Sequence, residues 1–375
     1  MPQPTAEVVD ADGHVLEPMS AWDRFLDPRH RQYTPRIVRN DWGLDTVYVG
    51  DQEIVTAPLG LLGTPGSHMD ETDPTKKIPW EQAHRGGFDP VERLRDMDLE
   101  GIDVAVLYPS LGLNFWGIDD SAAAVALARA YNDWLADYCA SAPRRLVGAA
   151  MLPFQDPAGA VAELERAARE LRFPAAFVRP NPCRGRHLGD PAFEPVWAAA
   201  EALGVTIGVH EGSSNVIRTL GADRLFNPLL LHAMSHPFEQ MLACATLMIT
   251  GAMERHPDLH FVFLESGGAW APYWMWRLDE QVHGFGRYAP EMKRKPSEYF
   301  RRQCWVSFES DEASLPALLP HIGERRVVWG SDYPHHDATF PGAVDKLRAA
   351  VGELPPSTRR GLLGDNARTL YRLPG

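Results

Sequence analysis

The residues best suited to chemistry are imidazoles and carboxylates that close short β-branched runs. Asp10, Asp12 and His14 alternate in VDADGH, so they share one face if that run is an extended strand. His210 and Glu211 close VTIGVHE, and Glu265 closes HFVFLE. Asp332 closes RVVWGSD, with His335, His336 and Asp337 just behind it. Imidazole with carboxylate suits Zn²⁺, Mn²⁺ or Fe²⁺. Three or four protein ligands leave room for a water, whose pKa a bound cation lowers toward ~7. The expected ligands are Asp12, His14, His210 and Asp332, with His236, Glu265 and His335 as further donors. The first four suffice for one ion, and the larger set suffices for two. Most of the 14 histidines have ordinary surface or core roles, and His30, His68, His187, His256, His283 and His321 are read that way.

Elements that bring such residues to one rim must be parallel strands. Eight runs fit: EVVDAD near residue 8, IDVAVLY from 102, LVGAAML from 146, AAFVRP from 175, VTIGVH from 205, HFVFLE from 260, CWVSFE from 304 and RVVWGSD from 326. Several are apolar on both faces, as buried parallel strands are. Between them lie helical stretches at 121–141, 156–172 and 190–204, introduced by Asp-Asp-Ser or Asp-Pro starts. Alternating strands and helices predict an α/β fold, a (β/α)8 TIM barrel with its active site at the C-terminal strand ends. The chain then reads as one domain over 1–375, with an inserted, cap-like region at roughly 15–100 between the first two strands. DTVYVGDQEIV within it predicts a hairpin around Gly50-Asp51.

Other side chains fall at the same rim. Arg179 ends the fourth strand, placed to clamp a substrate carboxylate bidentately or to pair with a neighbouring helix. Ser307 and Glu309 on the seventh strand are expected along the pocket, with Tyr108, Trp22, Trp116 and Trp270 as apolar walls. His232 and His236 are four apart and would share a helix face. Pro237 suggests instead a helix that starts there, with His236 at its N-terminus. His336 is expected to fix a ligand's tautomer.

Composition narrows the partners. Lys and Arg number 37 against 50 Asp and Glu, a net charge of −13, which disfavours nucleic acid. The apolar run 241–253 is 13 residues, shorter than the ~18 a membrane span needs, so no membrane is expected. The N-terminus has no basic-then-apolar leader pattern. The four cysteines have no C-x-x-C spacing, so reduced thiols and a cytoplasmic setting are expected.

The segments VDADGHVLEP, GIDVAVLYPS, VHEG, GAMERHPDLHFVFLESGGAWAPYW and WGSDYPHHD carry a family resemblance over nearly the whole chain. The chain resembles the amidohydrolase superfamily, in the branch that includes aminocarboxymuconate semialdehyde decarboxylase and γ-resorcylate decarboxylase. The resemblance matches Asp12 and His14 to the paired strand-one ligands, His210 to the strand-five ligand and Asp332 to the strand-eight ligand and base. Decarboxylating relatives usually carry a His then glycines where this chain has Glu265-Ser266-Gly267-Gly268. The expected function is a metal-dependent hydrolase or non-oxidative decarboxylase of a small organic acid or amide, with catalytic Asp332, Glu265 and His236. Two alternatives stand beside it. One is a dinuclear iron–manganese oxygenase of a small amino acid, as in some relatives of the branch; the other is a non-catalytic partner of an active homologue. The resemblance also implies a homodimer.

Overall fold

Each of the eight apolar runs forms a strand, because β-branched residues buried on both sides favour the extended form. The computed structural model describes residues 7–67, 78–212, 214, 216–224 and 227–374. In chain order the strands are β1 (Val9–His14), β2 (Arg36–Arg39), β3 (Asp45–Val49), β4 (Gln52–Ala57), β5 (Val104–Tyr108) and β6 (Leu146–Met151). They continue with β7 (Ala175–Val178), β8 (Thr206–His210), β9 (Phe261–Leu264), β10 (Cys304–Phe308) and β11 (Val327–Trp329). Eight are parallel in the order β1-β5-β6-β7-β8-β9-β10-β11. Beyond their ends, β1 and β11 are tied together. The Asp332 N–H donates to Asp12 O at 2.9 Å and the His14 N–H to Tyr333 O at 2.7 Å. The result is a nearly closed α/β barrel.

The helices between strands start and stop where the chain supplies caps. Asp120 accepts from the amides of Ala122 and Ala123 at the head of Ser121–Cys139, and Asp156 does the same from Ala158 for Pro157–Arg169. Gly204, left-handed at φ +68°, ends Glu194–Leu203. Between β1 and β5, β3 and β4 form the expected hairpin, with Gly50 at φ +59° in its turn, and β2 adds a third strand. His68 lies outside the described residues.

Two local expectations are corrected. The helix carrying His236 begins at Pro228, behind an Asn227 cap that accepts from the Leu229 amide, and Pro237 lies inside it. A helix of 22 residues can lose one internal hydrogen bond at proline and continue, because its packing is set over its whole length. Asp10 does not share a face with Asp12 and His14. The β1–β5 register slips between Asp10 and Gly13, a bulge that breaks strict alternation. Asp10 instead accepts from the Ser331 amide at 2.9 Å and hydroxyl at 2.6 Å.

Candidate metal centre

Strand ends β1, β8, β9 and β11 bring Asp12, His14, His210, Glu265 and Asp332 to one place. His14 and His210 are 0% exposed, and their Nε2 atoms stand 3.1 Å apart. Each ring is oriented from behind. Pro109 O lies 2.9 Å from His14 Nδ1, and Glu211 O faces His210 Nδ1. A carbonyl only accepts, so both Nδ1 atoms carry the proton and both Nε2 atoms are bare lone pairs in the neutral rings. Burial, then the neighbouring imidazoles His335 and His210, holds the His14 ring well below the usual histidine range, hence neutral.

Two lone pairs facing at 3.1 Å repel unless a cation lies between them. Asp12 Oδ1, buried and without a hydrogen-bond partner, is 3.3 Å from His210 Nε2 and 3.7 Å from His14 Nε2. Asp332 Oδ1 is 3.5 Å from His14 Nε2. Two metal bonds of about 2.1 Å meeting at 90–110° place their donors roughly 3.0–3.4 Å apart. The donor set therefore fits one transition-metal ion, with two of the four spacings, 3.1 and 3.3 Å, inside that range and the 3.5 and 3.7 Å pairs just beyond it.

The surroundings are acidic. Burial first, then Asp337 and Asp12, pushes the Asp332 carboxyl well above its usual range; burial, then Asp332 and Asp337, does the same to Glu265. Both residues sit in the left-handed region, at φ +54° and +51°. Such strain costs about 1–3 kcal/mol per residue and persists where neighbours fix it. For Glu265 the Ser307 hydroxyl accepts from its amide at 3.0 Å, so Ser307 supports the backbone rather than lining the pocket. Gly330 is required beside Asp12, since a Cβ there would come within 2.5 Å of the Asp12 Cβ.

A cavity of about 100 Å³ opens above these groups. Its walls are apolar, built from Leu16, Leu111 and Leu113 with Val55, Leu59, Leu62 and Trp80 of the segment between β1 and β5. His232, His236, Glu265, His335, His336 and Asp337 line its polar side.

Several expected residues fall elsewhere. Arg179 is 0% exposed and spends its guanidinium on Glu211 Oε2 at 2.9 Å, Gly212 O at 2.6 Å, Asn181 Oδ1 at 2.8 Å and Leu113 O at 3.2 Å. It does not face the cavity, and a substrate clamp there is corrected to a buried ion pair. Tyr108 packs beneath the histidines and shares a 3.0 Å hydrogen bond with the Tyr371 hydroxyl. Trp270 packs on Phe263 and Phe300, Trp22 on Phe115, and Trp116 on Phe154, so these rings are core rather than pocket wall. Glu309 is exposed past the end of β10 and does not line the cavity. His335 gives one ring nitrogen to Asp332 Oδ1 at 2.6 Å and the other to the Ser110 hydroxyl at 2.9 Å. His336 Nδ1 lies 3.4 Å from Asp337 Oδ1.

Of two further pocket residues, one carried no recognisable signal and the other only a weak one. Asn114 is 7% exposed, lines the cavity, and its Oδ1 has no partner. Asp337 belongs to an acidic group with Glu265 and Asp332, and only its place in the strand-eight motif pointed to it.

A parallel barrel that gathers imidazoles and carboxylates at its C-terminal rim defines a metal-dependent barrel enzyme. The Amidohydrolase family model matches residues 9–373, and the chain belongs to that family. It is 29% identical over 288 residues to the 2-amino-3-carboxymuconate-6-semialdehyde decarboxylase of Dictyostelium discoideum, covering 75% of this chain and 76% of that one. It is 29% identical over 301 residues to a gamma-resorcylate decarboxylase of Rhizobium sp., covering 76% and 87%. Among solved structures, the dihydroxybenzoic acid decarboxylase of Polaromonas sp. with bound manganese and 2-nitroresorcinol superposes with TM-score 0.67 at 25% identity, over 79% of this chain and 91% of that one. The chain is thus an enzyme of the metal-dependent hydrolase and carboxy-lyase kind, which sets aside the non-catalytic partner. Among the described residues no helix is long and apolar enough to cross a membrane.

Proposed function

We propose that this enzyme is a metal-dependent, non-oxidative decarboxylase of a small, largely apolar carboxylic acid of aromatic size. The observation that carries the metal is the pair of bare Nε2 atoms at 3.1 Å beside the orphaned Asp12 Oδ1. Asp12, His14, His210 and Asp332 would hold a divalent ion, manganese, zinc or iron. When bound, that ion supplies positive charge that orients the acid's oxygens and offsets charge developing on them. The names of the relatives supply the reaction class, and the apolar walls supply the preference for a flat hydrocarbon body.

The protein's own groups do the rest. Asn114 lines the cavity with its Oδ1 unpartnered and would accept a hydrogen bond from a hydroxyl of the substrate. In the reaction the carbon–carboxylate bond breaks, carbon dioxide leaves, and the vacated carbon takes a proton. Asp332, steadied by His335, and Glu265 are the groups placed to move that proton. His236 faces Glu265 at 3.7 Å across the pocket's edge and is the imidazole placed to exchange a proton with that carboxylate. The inserted segment at roughly 15–100, through Leu16, Val55, Leu59, Leu62 and Trp80, acts as a cap that keeps water from the cavity, on a chain that is otherwise one barrel domain.

The test is carbon dioxide release from a panel of hydroxybenzoic acids by manganese-loaded protein, with deuterium from heavy water appearing at the vacated carbon. Hydrolysis of amides with no carbon dioxide from any acid would overturn the reading. Oxygen consumption would favour the two-metal oxidative enzyme, a reading supported by the His232, His236 and Glu265 group.

A homodimer is proposed on an apolar face, where Phe238 and Leu242 of one helix and Tyr273 and Trp276 of the next are exposed. Trp276→Asp should then shift the protein to monomer in light scattering. The four free, buried cysteines support a reducing compartment such as the cytoplasm.

A further inference from the structure

We propose that Asp10, backed by Arg93, is a positioning residue of the metal centre. Its carboxylate clasps the two strand ends that carry Asp12 and Asp332 and so sets the spacing between them. The proposal rests on the metal reading of those ligands and gives Asp10 no contact with the ion.

In the strand order β1 and β11 are the two ends, and side chains supply part of the join between them. Asp10 Oδ1 accepts from the Asp12 amide at 3.2 Å and from the Ser331 amide at 2.9 Å. Its Oδ2 accepts from the Ser331 hydroxyl at 2.6 Å. One carboxylate thus grips a ligand residue of the first strand and the residue just before the ligand of the last. The Ser331 hydroxyl oxygen accepts in turn from the Tyr333 amide at 3.1 Å. Asp332, left-handed at φ +54°, is therefore held by the residue on either side of it. A non-glycine residue keeps that conformation only where its surroundings over-determine it. Here both flanking residues are tied, directly or through Ser331, to Asp10.

Arg93 secures the clasp from behind. It reaches in from the helix Pro90–Glu100 and is 1% exposed. Its Nη1 donates to the His14 carbonyl at 2.7 Å, and its Nη2 lies 3.9 Å from Asp10 Oδ2. Its guanidinium carbon stands 4.5 Å from the centre of the Tyr333 ring. One cation therefore touches the clasp, the second ligand residue of the first strand and the residue after Asp332. At 3.9 Å its contact with Asp10 is Coulombic rather than a hydrogen bond. A buried ion pair adds little stability over apolar side chains of the same volume, so the role assigned to this one is orientation. Gly13 belongs to the same fit. A Cβ there would come within 2.6 Å of Arg93 Nη2 and 2.8 Å of Asp10 Oδ2. The glycine between Asp12 and His14 is what lets the guanidinium and the carboxylate approach the strand.

The test is manganese(II) affinity of metal-stripped, full-length protein, read by equilibrium dialysis at a temperature where circular dichroism shows each metal-free variant folded. Asp10→Ala should weaken manganese ~10–100-fold, the usual cost of losing support behind a ligand. Asp10→Asn keeps an oxygen for the two amides and should recover part of that loss. Cobalt(II) bound to Asp10→Ala should absorb at shifted wavelengths, because its bands follow ligand geometry. A role in stability alone would lower the melting temperature and move neither affinity nor spectrum. Ser331→Ala removes only the hydroxyl arm of the clasp; it should weaken manganese in the same direction and serves if Asp10→Ala fails to fold. Unchanged affinity and spectrum in folded Asp10→Ala, or failing that in Ser331→Ala, overturns the proposal and leaves the metal centre standing. No manganese on the unaltered protein overturns the metal reading and this proposal with it.

Discussion

Replacing Arg179 with Leu separates a structural role from a substrate clamp. Arg179 and Glu211 are both 0% exposed and meet at 2.9 Å. Burial alone would raise the Glu211 carboxyl; Arg179, with help from His236, Asn181 and the Gly212 amide, holds it below the usual range. Removing the guanidinium strands a buried carboxylate, a loss of about 3–5 kcal/mol. An unfolding entropy of roughly 2.1 cal/mol/K per residue over 375 residues gives about 0.8 kcal/mol/K. The melting temperature of Arg179→Leu should therefore fall by about 4–6 °C, read by calorimetry. Arg179→Leu/Glu211→Leu should recover most of that, because no charge is left unpaired. Glu211 also holds the His210 ring through its carbonyl, so metal affinity in the single variant should drop ~10–100-fold, the usual cost of losing support behind a ligand. The reasoning is refuted if Arg179→Leu melts within 1 °C of the parent while KM rises steeply. That pair of results would return Arg179 to the substrate.

Four further outcomes are expected. His210→Ala should abolish metal binding by elemental analysis; full stoichiometry in the variant would remove His210 from the ligand set. Glu265→Gln should keep the fold and cut turnover by ~10²-fold or more if Glu265 moves protons, and unchanged turnover would reduce it to support. Chelation should lower the melting temperature, since an ion present at a hundredfold excess over its Kd stabilises by about 2.7 kcal/mol, or about 3 °C here; a melt indifferent to chelator would contradict a bound ion. Burial pushes the Glu239 carboxyl up to about 7 from its ordinary value near 4.5. The folded form therefore binds more protons than the unfolded form between about pH 4.5 and 7, so its contribution declines as pH rises through that window. Glu239→Gln should flatten the decline in urea midpoints, and an identical slope would contradict it.

The barrel was legible because its signal is repeated. Eight short runs, several apolar on both faces, cannot all be helices, and the His or carboxylate ending four of them named the rim. The Gly50-Asp51 hairpin was legible for the same local reason, since its turn needs a left-handed residue. What failed depended on neighbours. Pro237 looks like a helix start because proline has no amide to give, yet nine preceding helical residues carry the helix through it. Arg179 at a strand end looks like a clamp until Glu211, remote in the pattern, takes its charge. Asp10 seemed to share the face of Asp12 until a one-residue slip in pairing turned it toward Ser331. Asn114 sits in the apolar run Leu111–Gly117, and only its place in the cavity wall and its unpartnered oxygen single it out.

Asp12 and His14 stand at one side of the gap where the first and last barrel strands meet, and Asp332 stands at the other. During synthesis on the ribosome these groups emerge more than three hundred residues apart. A half-made chain can pair its early strands but owns only part of this donor set. Loading with cation therefore belongs to the final act of folding, when the circle shuts, and the ion would then act as a rivet across the join.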